Sequence, residues 1–197
     1  MPQAESRTER LERCLEAVER SPGSAVARYN LGLAWQKLGR FGEAEQAYRK
    51  AVELDPTLAE AWVNLGGVRL HGWDFEGCLE ASLKAVELRD DLVVAHHNLG
   101  QAYLYMNDPE NLVRCARRVL ELDADHPPSH YYAAVGLLAL GELGAAERHL
   151  GRAMELGHRP TAEFLRALER AQRSKAEGRI DMVEIGGGEI PGRAKED

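Results

Sequence analysis

Residues 25–58 read AVARYNLGLAWQKLGRFGEAEQAYRKAVELDPTL, and the pattern of this stretch returns along the chain in steps of 34 residues. The pairs Leu31-Gly32, Leu65-Gly66 and Leu99-Gly100 mark successive copies. A repeat of this length is one supersecondary unit, which buries its apolar face only by stacking on copies of itself. The step therefore predicts a stacked array whose extended surface is suited to binding other proteins.

Each repeat contains two helical patterns. In repeat 1, apolar residues recur every three to four positions over about residues 26–38, which predicts a first helix, helix A. Gly39 follows, as expected where a helix end needs a left-handed residue. A second helix, helix B, is predicted over about residues 41–54. Asp55 and Pro56 stop it, because the residue before a proline is pushed out of the helical region.

Two small residues are predicted to lie where helices A and B of repeat 1 cross. At Gly32 and Ala44 a missing or minimal side chain lets the two backbones approach closely. A larger residue at either position would overpack the crossing at a cost of about 1–3 kcal/mol.

The turn between the two helices varies in the later repeats. In repeat 2, Gly72 is expected to end helix A one position earlier than Gly39 does in repeat 1. In repeat 3, Asn107 replaces the turn glycine, and asparagine tolerates the left-handed region better than most residues. Asp108 and Pro109 then predict the N-cap and the first position of the next helix.

These residues resemble the signature of the tetratricopeptide repeat family. The matching positions in repeat 1 are Leu31, Gly32, Trp35, Gly39, Ala44, Tyr48, Ala51 and Pro56. Arg28 departs from it, since the family has its first aromatic residue there. The resemblance implies an all-α, right-handed α-solenoid of four helix-turn-helix repeats with a flanking helix at each end. The predicted divisions are an N-terminal helix at 5–22, repeats at 25–58, 59–92, 93–126 and 127–160, a capping helix at 161–177 and a tail at 178–197.

Composition excludes several classes of function. The net charge of −7 argues against binding to nucleic acids or acidic membranes, which require a basic surface. No apolar run approaches the ~20 residues that span a bilayer, and the N-terminus lacks the apolar segment of a secretory signal. Cys14, Cys78 and Cys115 form no CxxC motif and are expected to be small apolar fillers on helices. We therefore expect a cytoplasmic protein.

The sequence predicts no catalytic centre, cofactor or metal site. The motifs GxSxG, HExxH and the phosphate-binding GxxxxGK[ST] do not occur. His96, His97 and His130 suggest a metal site, but no cysteine or carboxylate completes a ligand set by its spacing. His96 and His130 also share the repeat position of Trp62, which favours packed imidazoles. We expect a protein that is not an enzyme.

An asparagine recurs on the first helix of three repeats, at Asn30, Asn64 and Asn98. In the tetratricopeptide family this helix lines the concave surface, and the asparagine ladder is similar to that of O-linked N-acetylglucosamine transferases. Each amide offers two donors and an acceptor, so the ladder is able to hold the main chain of an extended peptide. The alternative is that these amides only bridge adjacent helices, and the sequence leaves both interpretations open.

Apolar and aromatic side chains are expected beside the ladder. A contiguous apolar patch usually marks an interaction site, and tyrosines are effective anchors. The alternative is that several of them pack between neighbouring repeats. The predicted partner-binding residues are Tyr29, Asn30, Leu33, Asn64, His97, Asn98, Gln101, Tyr105, Tyr131 and Tyr132.

The predicted function is that of an adaptor or assembly factor that binds an extended, partly apolar segment of a partner protein in its concave groove. Capture of an acidic chaperone tail is disfavoured, because Tyr29 and Val94 stand where chaperone-binding members of the family have lysines. The alternative is a self-associating scaffold, a homo-oligomer that uses the groove and the tail. Within the tail, IDMVEI at residues 180–185 is predicted either to be flexible or to occupy an apolar groove.

Overall fold

The computed structural model describes residues 6–177, and within that range the chain forms ten α-helices and no strands. The helices are α1 (Arg7–Arg20), α2 (Ala25–Lys37), α3 (Phe41–Leu54), α4 (Ala59–His71), α5 (Phe75–Leu88), α6 (Val93–Tyr105), α7 (Pro109–Leu122), α8 (Pro127–Ala139), α9 (Leu143–Glu155) and α10 (Ala162–Ala176). The all-α fold predicted from the repeat is confirmed. The predicted tail at 178–197 lies outside the described residues.

The chain divides into two compact units, an N-terminal unit at residues 1–98 and a C-terminal unit at residues 99–197. The boundary between them falls inside α6. In the N-terminal unit each helix from α1 to α4 packs on the helix that follows it. In the C-terminal unit α7 packs on α8, α8 packs on α9, and α10 contacts both α8 and α9.

Tyr48 lies at the centre of the core of the N-terminal unit, where it is 0% exposed. Its hydroxyl donates a hydrogen bond to Oε1 of Gln36 at 2.7 Å, so the polar end of the buried ring is satisfied. Gly32 faces this ring: a Cβ added at Gly32 would lie 2.6 Å from Cδ1 of Tyr48 and nearer still to Cε1. Ala44 is 0% exposed on the adjoining helix. The absence of a side chain at Gly32 is thus what admits the Tyr48 ring.

The turns between paired helices contain a left-handed residue at the same repeat position each time. These residues are Gly39, Trp73, Asn107 and Gly141, with φ of 73°, 64°, 55° and 77°. The prediction for Asn107 is confirmed. Gly72 is the C-cap of α4 and so ends helix A of repeat 2 as predicted, but not one position earlier, because α4 ends at His71, 34 residues after the last residue of α2. The φ of Gly72 is −81°, and Trp73 takes the left-handed conformation in register with Gly39. A bulky residue rarely adopts this region. The indole of Trp73 packs edge-on against Phe75, with ring centroids 6.1 Å apart.

The start of α7 follows its predicted capping pattern. Oδ1 of Asp108 accepts a hydrogen bond from the backbone N–H of Asn111 at 3.0 Å, and Pro109 occupies the first turn. Both expectations are confirmed, and together they fix the residue at which α7 begins.

The three cysteines are buried and free, one each on α1, α5 and α7. Burial raises the pKa of the Cys78 thiol, and likewise that of Cys115, to about 11. Both side chains are therefore neutral at physiological pH and serve as the apolar fillers that the sequence predicted.

Candidate functional site

The helix-A face of the N-terminal unit consists of Tyr29, Asn30 and Leu33 on α2, Asn64 on α4 and His97 on α6. All five side chains are half-buried, so each combines support from the core with some access to solvent. Leu33 and Tyr29 rest on the apolar cluster around Tyr48. The face therefore presents apolar and amide groups together.

Two of the three ladder asparagines form bridges between neighbouring first helices. Nδ2 of Asn64 lies 3.2 Å from the hydroxyl of Tyr29, and Nδ2 of Asn98 donates to the backbone oxygen of Val63 at 3.2 Å. In both cases the amide reaches the residue 35 positions earlier. Asn98 is 5% exposed, so its amide belongs to the packing between α4 and α6. The side-chain amide of Asn30 makes no hydrogen bond within residues 6–177.

Tyr29 is held as a neutral phenol. Its ring centroid is 5.9 Å from that of Tyr48, and burial raises the pKa of both tyrosines, with the Asn64 hydrogen bond opposing the shift at Tyr29. A neutral phenol on an apolar cluster offers one hydroxyl and an apolar ring surface to an incoming segment.

The corresponding residues of the C-terminal unit separate into exposed and buried ones. Tyr105 on α6 is 40% exposed and Gln101 is half-buried, whereas Tyr131 and Tyr132 on α8 are only 8% and 9% exposed. Burial raises the pKa of Tyr132 to about 12, and a hydrogen bond with Gln101 opposes the shift. Tyr131 packs edge-on against Phe164 of α10 with ring centroids 5.3 Å apart. The structure thus places Tyr131 and Tyr132 in the core and leaves Tyr105 accessible.

Three ring nitrogens at one repeat position make the same hydrogen bond. Nε1 of Trp62 donates to the backbone oxygen of Pro56 at 2.8 Å. Nε2 of His96 lies 3.0 Å from the oxygen of Asp90, and Nε2 of His130 lies 3.0 Å from that of Ala124. In each case the acceptor is six residues earlier. The two imidazoles therefore replace the indole and anchor each first helix to the loop before it.

Within residues 6–177 there is no group of three or more histidine, cysteine, aspartate or glutamate side chains placed to hold a metal ion. In the same range no helix has the length and apolar character needed to cross a membrane.

Comparison with known families settles the nature of the repeats. Models of the tetratricopeptide repeat match residues 25–58, 95–127 and 127–152. The chain is a tetratricopeptide repeat protein. No curated protein matches its sequence.

Solved structures share the tetratricopeptide fold at low sequence identity. YrrB, described as a TPR protein with an unusual peptide-binding site, aligns with a TM-score of 0.74 and 19% identity over 84% of this chain and 85% of its own. MamA aligns with a TM-score of 0.70 and 17% identity over 85% of this chain and 89% of its own. PilF of Pseudomonas aeruginosa aligns with a TM-score of 0.70 and 23% identity over 85% of this chain and 78% of its own. At these identities the likeness concerns the fold alone.

Sequence reasoning missed the partners of the ladder amides in this tetratricopeptide protein. Asparagines at one repeat position in successive repeats already indicate that their first helices are neighbours. The residue just before the previous asparagine, Tyr29 or Val63, is then the nearest acceptor. A separation of 35 residues, one repeat plus one position, is therefore the sequence signal for a hydrogen bond between neighbouring first helices.

Removing the two kinds of ladder asparagine is expected to have different effects on stability. Asn98→Ala should lower the free energy of unfolding by about 1–2 kcal/mol, because it deletes a buried hydrogen bond and truncates a side chain that is only 5% exposed. Asn30→Ala should change it by less than about 0.5 kcal/mol, as for an ordinary surface position. Urea denaturation followed by circular dichroism measures both. If both variants lose the same free energy of unfolding, the conclusion that the Asn98 amide bridges two helices and the Asn30 amide does not would be wrong.

Proposed function

We propose that this tetratricopeptide repeat protein is a non-enzymatic adaptor or assembly factor that binds an extended, partly apolar segment of a partner protein. The contact surface is the helix-A face of the N-terminal unit, and Gln101 and Tyr105 give the C-terminal unit a comparable surface of its own. The observation that carries the proposal is the combination, on α2, of an available Asn30 amide with the half-buried Tyr29 and Leu33 side chains.

The chemistry of this face suits a peptide more than a small polar ligand. The Asn30 amide supplies the donors and the acceptor that a main chain needs. Leu33 and Tyr29 supply apolar area that is already supported by the core, so little conformational entropy is lost on binding. YrrB, described as having a peptide-binding site, supplies a precedent on the same fold. Tyr131 and Tyr132 are left out of the proposed surface because they are buried.

The proposal is tested by selecting binding peptides from a phage-displayed random library and measuring their affinities by fluorescence anisotropy. Leu33→Ala and Asn30→Ala are each expected to weaken a selected peptide about tenfold, a loss of about 1.4 kcal/mol. Leu83→Ala is the matched control, since Leu83 on α5 is 48% exposed but lies on a second helix. Its affinity should stay within about twofold of the parent.

Loss of binding in Leu83→Ala with normal binding in Leu33→Ala would place the site elsewhere and refute the proposal. Thermal melting of each variant shows whether a lost affinity reflects lost folding. If Leu33→Ala does not fold, Asn30→Ala still decides, because its amide makes no hydrogen bond in the described part of the chain. Mass that rises with concentration in light scattering, without any peptide binding, would favour self-association instead.

A further inference from the structure

Two adjacent glycines, Gly66 and Gly67, lie in the interior of α4 and face different neighbours. A Cβ added at Gly66 would lie 2.5 Å from Oγ of Ser82 on α5, a side chain that is 0% exposed. The packing of α4 on α5 therefore requires a glycine at position 66, just as the packing of α2 on α3 requires Gly32.

Gly67 has no such reason within the fold. The nearest atom among residues 6–177 that a Cβ at Gly67 would meet is Nδ2 of Asn98 at 3.7 Å, which is an ordinary van der Waals contact. The φ of Gly67 does not lie in the left-handed region that favours glycine. Glycine in a helix interior is less favourable than alanine, so neither packing nor backbone conformation explains this residue.

Gly67 lies on the helix-A face of the N-terminal unit. It follows Asn64 by three residues, which places both on one side of α4. It also occupies the repeat position of Leu33, 34 residues earlier. Gly67 is half-buried and a Cβ there would have open space, so the main chain of α4 forms the floor of a shallow recess at this position. We call this feature the Gly67 recess.

The Gly67 recess suits a main chain better than an apolar side chain. The atom nearest to the added Cβ is an amide nitrogen with two N–H bonds, and its one hydrogen bond among residues 6–177 goes to the backbone oxygen of Val63 at 3.2 Å. A carbonyl oxygen above Gly67 is able to accept the second N–H of Asn98. An apolar side chain would cover that donor without pairing it, which is unfavourable. Close approach of a ligand to the backbone is also an established use of glycine.

We propose that the main chain of the bound partner segment crosses α4 at Gly67, which admits it at a distance that a Cβ would prevent. The side chains of Tyr29 and Leu33 on α2 then contact the apolar groups of the same segment. This inference rests on the proposed function, since it assigns a role to Gly67 within the same contact surface.

The experiment measures the affinity of Gly67→Ala, by fluorescence anisotropy, for peptides selected on the parent chain from the phage-displayed random library. We expect binding to weaken about tenfold or more, a loss of at least about 1.4 kcal/mol, because the Cβ occupies the space that the main chain of the peptide needs. The melting temperature should not fall, because the Cβ makes only an ordinary contact and alanine is the better helix former. An affinity equal to that of the parent would overturn the proposal. A lower melting temperature would also overturn it, since the recess would then not be open.

Gly42→Ala is the matched control. Gly42 lies in the first turn of α3, a second helix of the same unit, and a Cβ added there meets no atom within 4 Å. The variant makes the same chemical change away from the helix-A face and should bind the selected peptides within about twofold of the parent. If Gly42→Ala loses as much affinity as Gly67→Ala, the loss does not belong to the Gly67 recess and the proposal is wrong.

Shortened peptide side chains distinguish a main chain in the recess from a side chain. Each residue of a selected peptide is replaced in turn by alanine, and every peptide is measured against both the parent and Gly67→Ala. If the main chain crosses α4 at Gly67, every replaced peptide should still bind Gly67→Ala more weakly than it binds the parent. A replaced peptide that binds both proteins equally well would show that the side chain it lost occupies the recess, which contradicts the proposal.

The failure of this inference and the failure of the proposed function give different results. If Leu33→Ala and Asn30→Ala weaken a selected peptide and Gly67→Ala does not, the contact surface is supported and the inference alone is wrong. If none of the three variants weakens a selected peptide, the proposed contact surface is wrong and the inference fails with it.

Discussion

Gly32→Ala is expected to lower the free energy of unfolding by about 1–3 kcal/mol, although alanine is the better helix former. The added Cβ would lie 2.6 Å from Cδ1 and 2.9 Å from Cζ of Tyr48. That ring is 0% exposed and its hydroxyl is bonded to Gln36, so it has no open space to move into. The helices α2 and α3 must then move apart, which loosens the core of the N-terminal unit. Urea denaturation followed by circular dichroism measures the loss.

The same substitution at Gly151 is the control. Gly151 lies within α9, and a Cβ added there meets no atom within 4 Å. Gly151→Ala should therefore raise the free energy of unfolding by about 0.5–1 kcal/mol, the usual gain for alanine over glycine inside a helix. If the same substitution lowers the free energy of unfolding at Gly32 and raises it at Gly151, the loss at Gly32 is due to the close contact with Tyr48. A Gly32→Ala variant as stable as Gly151→Ala would show that α2 and α3 do not approach as closely as described.

The repeat step predicted the helix pairs because a helix and its turn depend mostly on nearby residues. It did not identify which residue of the second turn is left-handed. Gly72 is the better left-handed residue by local preference, yet the register of the neighbouring helices puts Trp73 in that conformation. Packing over the whole repeat outweighed the preference of one residue, whose cost is about 1–2 kcal/mol.

The candidate site was less predictable because its side chains depend on neighbours that do not repeat. Asn64 and Asn98 occupy one repeat position, but one meets the hydroxyl of Tyr29 and the other a backbone oxygen. Asn30 has no earlier first helix to reach, since only α1 precedes it in the described chain. Three identical residues therefore have three different environments, whereas the sequence left the same two roles open for all of them, a contact with a ligand or a bridge between adjacent helices.

Tyr131→Ala is expected to lower the free energy of unfolding of the C-terminal unit by about 3–5 kcal/mol. The ring is 8% exposed and lies 5.3 Å from the ring of Phe164 and 4.4 Å from that of His158. Its hydroxyl lies 3.2 Å from Oγ1 of Thr161, the N-cap residue of α10. Truncation removes the contacts that hold the start of α10, so this helix should lose hydrogen-exchange protection first.

Two tyrosine variants control for the loss of a ring and of a hydroxyl. Tyr105→Ala removes the same side chain from a position that is 40% exposed and should cost no more than about 1 kcal/mol. Tyr131→Phe keeps the ring and should cost about 1 kcal/mol, the value of one hydrogen bond. If Tyr131→Ala is as stable as Tyr105→Ala and loses affinity for selected peptides, Tyr131 is a partner contact, as the sequence predicted. If α10 unfolds while Asn30 and Leu33 still determine peptide affinity, the ring is a structural clamp, and binding belongs to the helix-A face of the N-terminal unit.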